Sequence, residues 1–157
     1  MKKITITQIK PNPSGKDRFG HLTPNLQLTA EWVDFKNTGN EDYPLENIIL
    51  QHLAYSPSSI FGRWDDIMDF KGILKPEKVV RIHSGNEIPI GELALEDRIN
   101  ADHHLFTGEN YVWNNDRSDS PRLVIKISGS ISEVDKASYD AHPIEGKILK
   151  RVGERLI

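Results

Sequence analysis

The chain has 157 residues, a net charge of −3 and no cysteine. That length suits one domain with its own apolar core, and the missing cysteine excludes disulfides, thiolate metal centres and a cysteine nucleophile. The acidic balance argues against nucleic acid as a partner, since such binding rests on Lys and Arg neutralising phosphates.

Lys2 and Lys3 resemble the start of a signal peptide, but Thr5, Thr7, Gln8 and Lys10 interrupt the apolar stretch that one requires. No run approaches the ~18 apolar residues of a membrane span, so the expected location is the cytoplasm. Ile4, Ile6 and Gln8 alternate with Thr5, Thr7 and Ile9, the period of a strand, until Pro11-Asn12-Pro13-Ser14-Gly15 stops it. After a polar loop, residues 28–36 read as a second strand. Val33 and Phe35 share one face, while Trp32, Asp34 and Lys36 share the other. Glu31 has the parity of Val33, so its carboxylate is expected at the edge of the core. There it would be held by backbone amides or an Arg, because an unpaired buried charge costs several kcal/mol. Asp34 is expected on a solvated face, where replacement by Ala changes stability by under ~1 kcal/mol.

Residues 37–42 form a turn of Asn, Gly, Thr and Asp, and residues 48–55 the next strand. A looser segment containing Phe61, Arg63 and Trp64 leads to a short strand at 66–70. A turn at 74–77 precedes a strand at 79–83, with Val80 and Ile82 on one face. Residues 85–100 are the least β-like, and Leu93, Ala94, Glu96 and Asp97 fit one or two helical turns between Gly91 and Asn100. Strands at 109–113, 122–127 and 131–139 follow. Beyond Pro143, Ile144, Ile148, Leu149, Val152 and Leu156 fall at helical spacing, whereas Gly146 and Gly153 would mark the turns of a hairpin. Both readings stay open. The predicted fold is an all-β sandwich with a short helical insertion, one domain over residues 1–157, its core at about 4–140 and an extension at 141–157.

Three segments together resemble the lamin-tail domain, the immunoglobulin-like domain of nuclear lamins and many bacterial proteins. The first is Glu31-Trp32-Val33-Asp34-Phe35-Lys36-Asn37-Thr38-Gly39 with Leu45 after it. The second is Leu74-Lys75-Pro76-Glu77-Lys78-Val79-Val80-Arg81-Ile82-His83-Ser84-Gly85. The third is Tyr111-Val112-Trp113-Asn114-Asn115-Asp116, then Leu123 and a strand from Asp135 to Tyr139. The family usually has glycine after the Asn-Asn-Asp run, where this chain has Arg117, and residues 56–70 and 91–109 look longer than in a minimal member. The resemblance implies an immunoglobulin-like β-sandwich and non-catalytic work as a scaffold or interaction module.

Charge is unevenly spread. Residues 85–119 hold Glu87, Glu92, Glu96, Asp97, Asp102, Glu109, Asp116 and Asp119 against Arg98 and Arg117, a net of −6 in a chain of −3. Lys147, Lys150, Arg151 and Arg155 make the C-terminus basic. Like charges on one face either keep it solvated or steer an oppositely charged partner.

Catalytic patterns are weak. His21, His52, His83, His103 and His104 lack the His-x-x-x-His spacing that places two imidazoles on one helical face. Asp102-His103-His104 is the densest cluster, but neighbours on a strand point to opposite faces, and a solvated loop is expected there. A calcium loop begun at Asn114 would put Asp119 where glycine is needed and Ile125 where Glu is needed. Neither a Gly-x-Ser-x-Gly elbow nor a phosphate-binding loop is present. No catalytic residue, cofactor or metal ligand is therefore assigned.

The candidate partner-binding residues are Trp64, Glu96, Asp97, Tyr111 and Trp113: acids to steer a basic partner, and large amphipathic rings to anchor it. The expected function is a protein-interaction or assembly module without a cofactor. Its partner is a protein, basic if the acidic window is its face, and homo-oligomerisation is compatible with the sequence. Two rivals are a metal-dependent hydrolase or nuclease using His83, Asp102, His103, His104 and Asp116, and a nucleic-acid binder using the basic C-terminus.

Overall fold

The computed structural model describes residues 1–16, 24–57 and 59–157, the side chains of residues 59 and 60 apart. The chain is predominantly β. Its strands are β1 (Ile4–Lys10), β2 (Trp32–Asn37), β3 (Tyr43–Pro44), β4 (Ile48–Ser56), β5 (Ser59–Asp69), β6 (Ile73–Leu74), β7 (Val79–His83), β8 (His103–Phe106), β9 (Arg122–Ile127), β10 (Ser130–Lys136), β11 (Leu149–Val152) and β12 (Arg155–Leu156). Among the described residues, helical structure is confined to α1 (Asn25–Leu28), a 3-10 turn (Ile90–Glu92) and α2 (Leu95–Arg98). One sheet has the order β12-β11-β1-β2-β7-β8, a second the order β10-β9-β4-β5, and β3 pairs with β6. Pairing is antiparallel except between β7 and β8.

The two larger sheets pack over one apolar core. Ile4, Ile6, Val33, Phe35, Val80 and Ile82 come from the first; Ile48, Leu50 and Leu123 come from the second. The predicted parity of β2 and β7 therefore holds. In β1 it changes midway. Ile6 stands opposite Phe35 and Gln8 opposite Asp34, so Thr7 is the extra residue of a bulge. The bulge turns Ile9 inward opposite Val33 and Gln8 outward, and Ile4, Ile6 and Ile9 all enter the core. Strict alternation had set Ile9 on the face of the threonines.

The larger correction concerns the outer face of the first sheet. Asp34 is fully buried there rather than solvated, because Arg81 and Gln8 bind it and residues 96–99 return across Trp32 and Arg81. Strand limits differ as well. Leu28 ends α1 and residues 29–31 follow it as a turn; β5 starts well before residue 66; residues 109–113 form no strand; and His103 and His104, expected in a solvated loop, belong to β8. The open question at the C-terminus resolves to a hairpin. Val152 pairs with Arg155 around Gly153, whose φ of 62° suits the first position of a two-residue turn.

One glycine fixes where the covering segment departs. Gly85 has φ 86°, and a Cβ there would lie 2.6 Å from Asn25 Oδ1 and 2.8 Å from the Leu28 Cβ. Its N–H donates to the Glu109 carbonyl, and its own carbonyl accepts from the Gly108 N–H. The chain thus leaves β7 at a point tied to the residues that follow β8. Among the described residues, no helix is long and apolar enough to cross a membrane.

Candidate interaction groove

The segment that covers the outer face is held by buried ionic groups. The Arg81 guanidinium grips Asp34 through two bonds of 2.7 and 2.8 Å, stacks 3.6 Å from the Trp32 ring, and donates to the carbonyls of Asp97 and Ile99 at the end of α2. An α2 carbonyl end has no intrahelical donors, so a cation there satisfies it directly. Asp97 accepts from Trp32 Nε1 at 2.8 Å and from Lys10 Nζ at 2.7 Å, and Glu96 reaches the same ammonium at 2.5 Å. Each charge is paired, which is the condition for keeping charges in a low-dielectric interior.

Behind this layer, two histidines stack with centroids 5.1 Å apart. His83 Nδ1 lies 2.6 Å from the Thr29 carbonyl, which can only accept, so Nδ1 carries the proton. Burial pushes the His83 pKa down to about 3, leaving the ring neutral near pH 7. Its Nε2 is therefore an acceptor, and His104 Nδ1, 2.8 Å away, is the donor. Burial lowers the His104 pKa too. Phe106 stacks on the other part of the His83 ring at 4.9 Å.

The fixed segment and β8 enclose a groove of about 680 Å³, with residues 87–90 as one wall and residues 102–106 as the other. Its apolar surface comes from Ile88, Pro89, Ile90, Leu105 and Phe106; Glu87 and Asp102 supply charge, and His103 and His104 line it as well. Ile90 and Leu105 are 40% and 38% exposed and stand together at the groove. Asp102 is held below the usual carboxylate range by the Val79 N–H, with Lys78 adding to the effect at 3.5 Å. No ion pair to Glu87, Glu92 or Glu109 occurs among the described residues.

The far end of the sandwich has a different chemistry. Glu31 is buried, accepting from Ser84 Oγ at 2.5 Å, the Val112 N–H at 2.7 Å and Lys16 Nζ at 2.6 Å. Desolvation raises its pKa against those three donors. The predicted burial of Glu31 holds: of the expected backbone amides or Arg it has a backbone amide, that of Val112, with Lys16 as its cation. Lys16 also donates to the carbonyls of Pro11 and Trp113 and lies over the Tyr111 ring at 4.9 Å. Asp119, also buried, accepts from the N–H groups of Leu53, Asn114 and Ser120 and contacts His52 Nδ1 at 3.1 Å. These carboxylates tie the 111–119 loop to β2 and β4, and their oxygens are occupied by structural donors. A calcium role for Asp119 has no room.

The five sequence candidates do not share one surface. Trp64 lies on the outer face of the second sheet, half-buried under the Arg122 guanidinium at 4.6 Å. Asp97 and Glu96 clamp the outer face of the first sheet. Asp97 is thus internal, not a free steering charge, because Lys10 and the Trp32 N–H need it. Trp113 belongs to the core at 4% exposure, edge-on to His52, and Tyr111 is half-buried beside it.

Of the hydrolase set, His83 contacts His104, and Asp102, His103 and His104 line the groove, but they do not converge with Asp116. His83 is buried, His103 and His104 point to opposite faces of β8, and Asp116 lines a separate cavity with Tyr55 and Lys16. His21 lies outside the described residues. Among the described residues, no three His, Asp or Glu side chains are placed to hold a metal ion. At the basic C-terminus, Arg151 binds Asp135 and Arg155 binds Asp140, so two of the four cations are internally neutralised.

No protein-family model matches the chain, and no curated protein does. The site therefore rests on its geometry. Sequence reasoning missed Arg81, Lys10, Lys16 and β8 itself. The available signal was the length of the 85–100 segment beside a strand polar on one face only at Arg81 and His83.

Proposed function

We propose that this chain is a non-catalytic protein-interaction or assembly module, a lamin-tail-like immunoglobulin sandwich that docks its partner in the groove beside β8. The observation that carries the reading is that groove: exposed apolar side chains on a rigid sheet edge, with the acids of the 85–109 segment around it. Apolar anchors supply affinity, and charges at the rim set approach and specificity. The wall formed by residues 87–90 lies between two anchored stretches, Gly85 with Asn86 and the turn at residues 97–99 held by Arg81, which limits the ordering needed on docking. The non-catalytic part of the proposal is supported by the buried carboxylates, whose oxygens are taken up by Arg81, Lys10, Lys16 and backbone amides. The family part rests on the three resembling segments. Two of them form β2 with its Asn37-centred turn and the turn, strand and glycine of β7, with Asn37 Nδ2 donating to the Glu41 and Leu74 carbonyls.

The test is isolation of the tagged protein from its own cells, comparing Leu105→Lys with Ile131→Lys. Ile131 is 51% exposed on β10, away from the groove. Both variants should melt as the parent does. Leu105→Lys should lose the captured partner and Ile131→Lys should keep it. An unchanged set of partners in Leu105→Lys would end the proposal.

A further inference from the structure

We infer that the groove receives an extended, basic segment of the partner as an added strand on β8. This deepens the docking reading above and rests on it. β8 is the last strand of its sheet, and no strand lies beyond it among the described residues. The Thr107 N–H donates to the His83 carbonyl, toward β7. Peptide groups alternate in direction along a strand, so those of Leu105 and His103 face β7 as well, while those of His104 and Phe106 face the open edge.

The other sheet edges carry the guards that edge strands usually have. β12 is closed by Ser138, which accepts from the Leu156 N–H and donates to the Glu154 carbonyl. β10 is bulged at Glu133 and Asp135, and Asp135 accepts from the Ile6 N–H. β5 has two register shifts against β4 and displays Arg63, Asp65 and Asp69. β8 has no bulge against β7 and neither Lys nor Pro. It is bordered instead by the groove wall, which would give alternate side chains of an added strand apolar surface at Ile88, Ile90 and Phe106.

The sign of the partner follows from charge. Glu87 and Asp102 line the groove; Glu87 has no ion pair among the described residues, and Asp102 is partly offset by Lys78. A strand with Lys or Arg at every second position would place its cations at this rim and its apolar residues against the wall.

The probe is an acetylated, amidated octapeptide alternating Val and Lys, titrated into the labelled full chain by NMR. Shifts should change at residues 87–90 and 102–106, and amide exchange of His104 and Phe106 should slow. Binding should weaken with salt, and the Val–Glu peptide should bind at least about tenfold more weakly. A Val–Lys peptide N-methylated at alternate residues, so that one edge loses its donors, should also lose about tenfold. Absence of binding, shifts elsewhere, or equal binding of the N-methylated or Val–Glu peptide would overturn strand addition. If Leu105→Lys still abolishes partner capture in that case, the groove remains the docking surface and only the strand-addition inference fails. If Leu105→Lys leaves capture intact, the docking reading itself fails.

Discussion

Lowering the pH from 8 to 4 adds a proton to His83 in the unfolded chain and not in the folded one. Its ordinary pKa of 6.5 falls to about 3 on folding, so the unfolded state binds the extra proton throughout that interval. Stability is therefore complete above pH 6.5 and falls as the pH drops toward 3. At ~1.4 kcal/mol per pH unit, the loss at pH 4 is about 3 kcal/mol, a large share of the 5–15 kcal/mol that holds a domain of this size. The cause is geometric as well as dielectric. Nδ1 already donates to Thr29, and a second proton on Nε2 would face the proton that His104 presents. Glu31 and Asp34 act in the opposite direction. Their carboxyls are raised by burial, so their proton uptake favours the folded state as the pH falls. The comparison must therefore be with a variant. His83→Asn keeps an amide donor for Thr29 and removes the titration. Urea unfolding at pH 8, 6.5, 5 and 4 should show the parent losing about 3 kcal/mol more than His83→Asn between the extremes. The slope against pH is the readout, since the variant starts from a lower stability. Parallel slopes would refute the assignment of a neutral, doubly engaged His83.

Two further substitutions test the buried layer and its connection to β8. Asp34→Ala leaves the Arg81 guanidinium buried without its carboxylate and should cost about 3–5 kcal/mol in urea unfolding, where a solvated strand face would cost under ~1. Gly85→Ala meets a left-handed φ together with Asn25 and Leu28 at under 3.0 Å; it should lose more than ~1 kcal/mol and speed amide exchange at Gly108, whose N–H bonds the Gly85 carbonyl.

The alternating apolar residues by themselves determined most strands of the sandwich. Val33, Phe35, Val80 and Ile82 were legible as core because a period of two leaves them no other shared face. Glu31 was legible as a buried carboxylate for the same reason. What pattern could not supply is the partner of the opposite face. Asp34, Arg81 and His83 have the parity of a solvated surface, and only long-range contacts enclose them: residues 96–99 against Arg81, and Thr29, His104 and Phe106 around His83. Nor could local sequence place β8, since His103-His104-Leu105-Phe106 becomes a strand through parallel pairing with β7, a long-range contact. The acidic window shows the division most plainly. Its charge is written in the sequence, but tertiary structure turned Asp97 and Asp119 inward as clamps and left Glu87 and Asp102 at an open edge. Composition counts charges, whereas burial and pairing decide which of them a partner can meet.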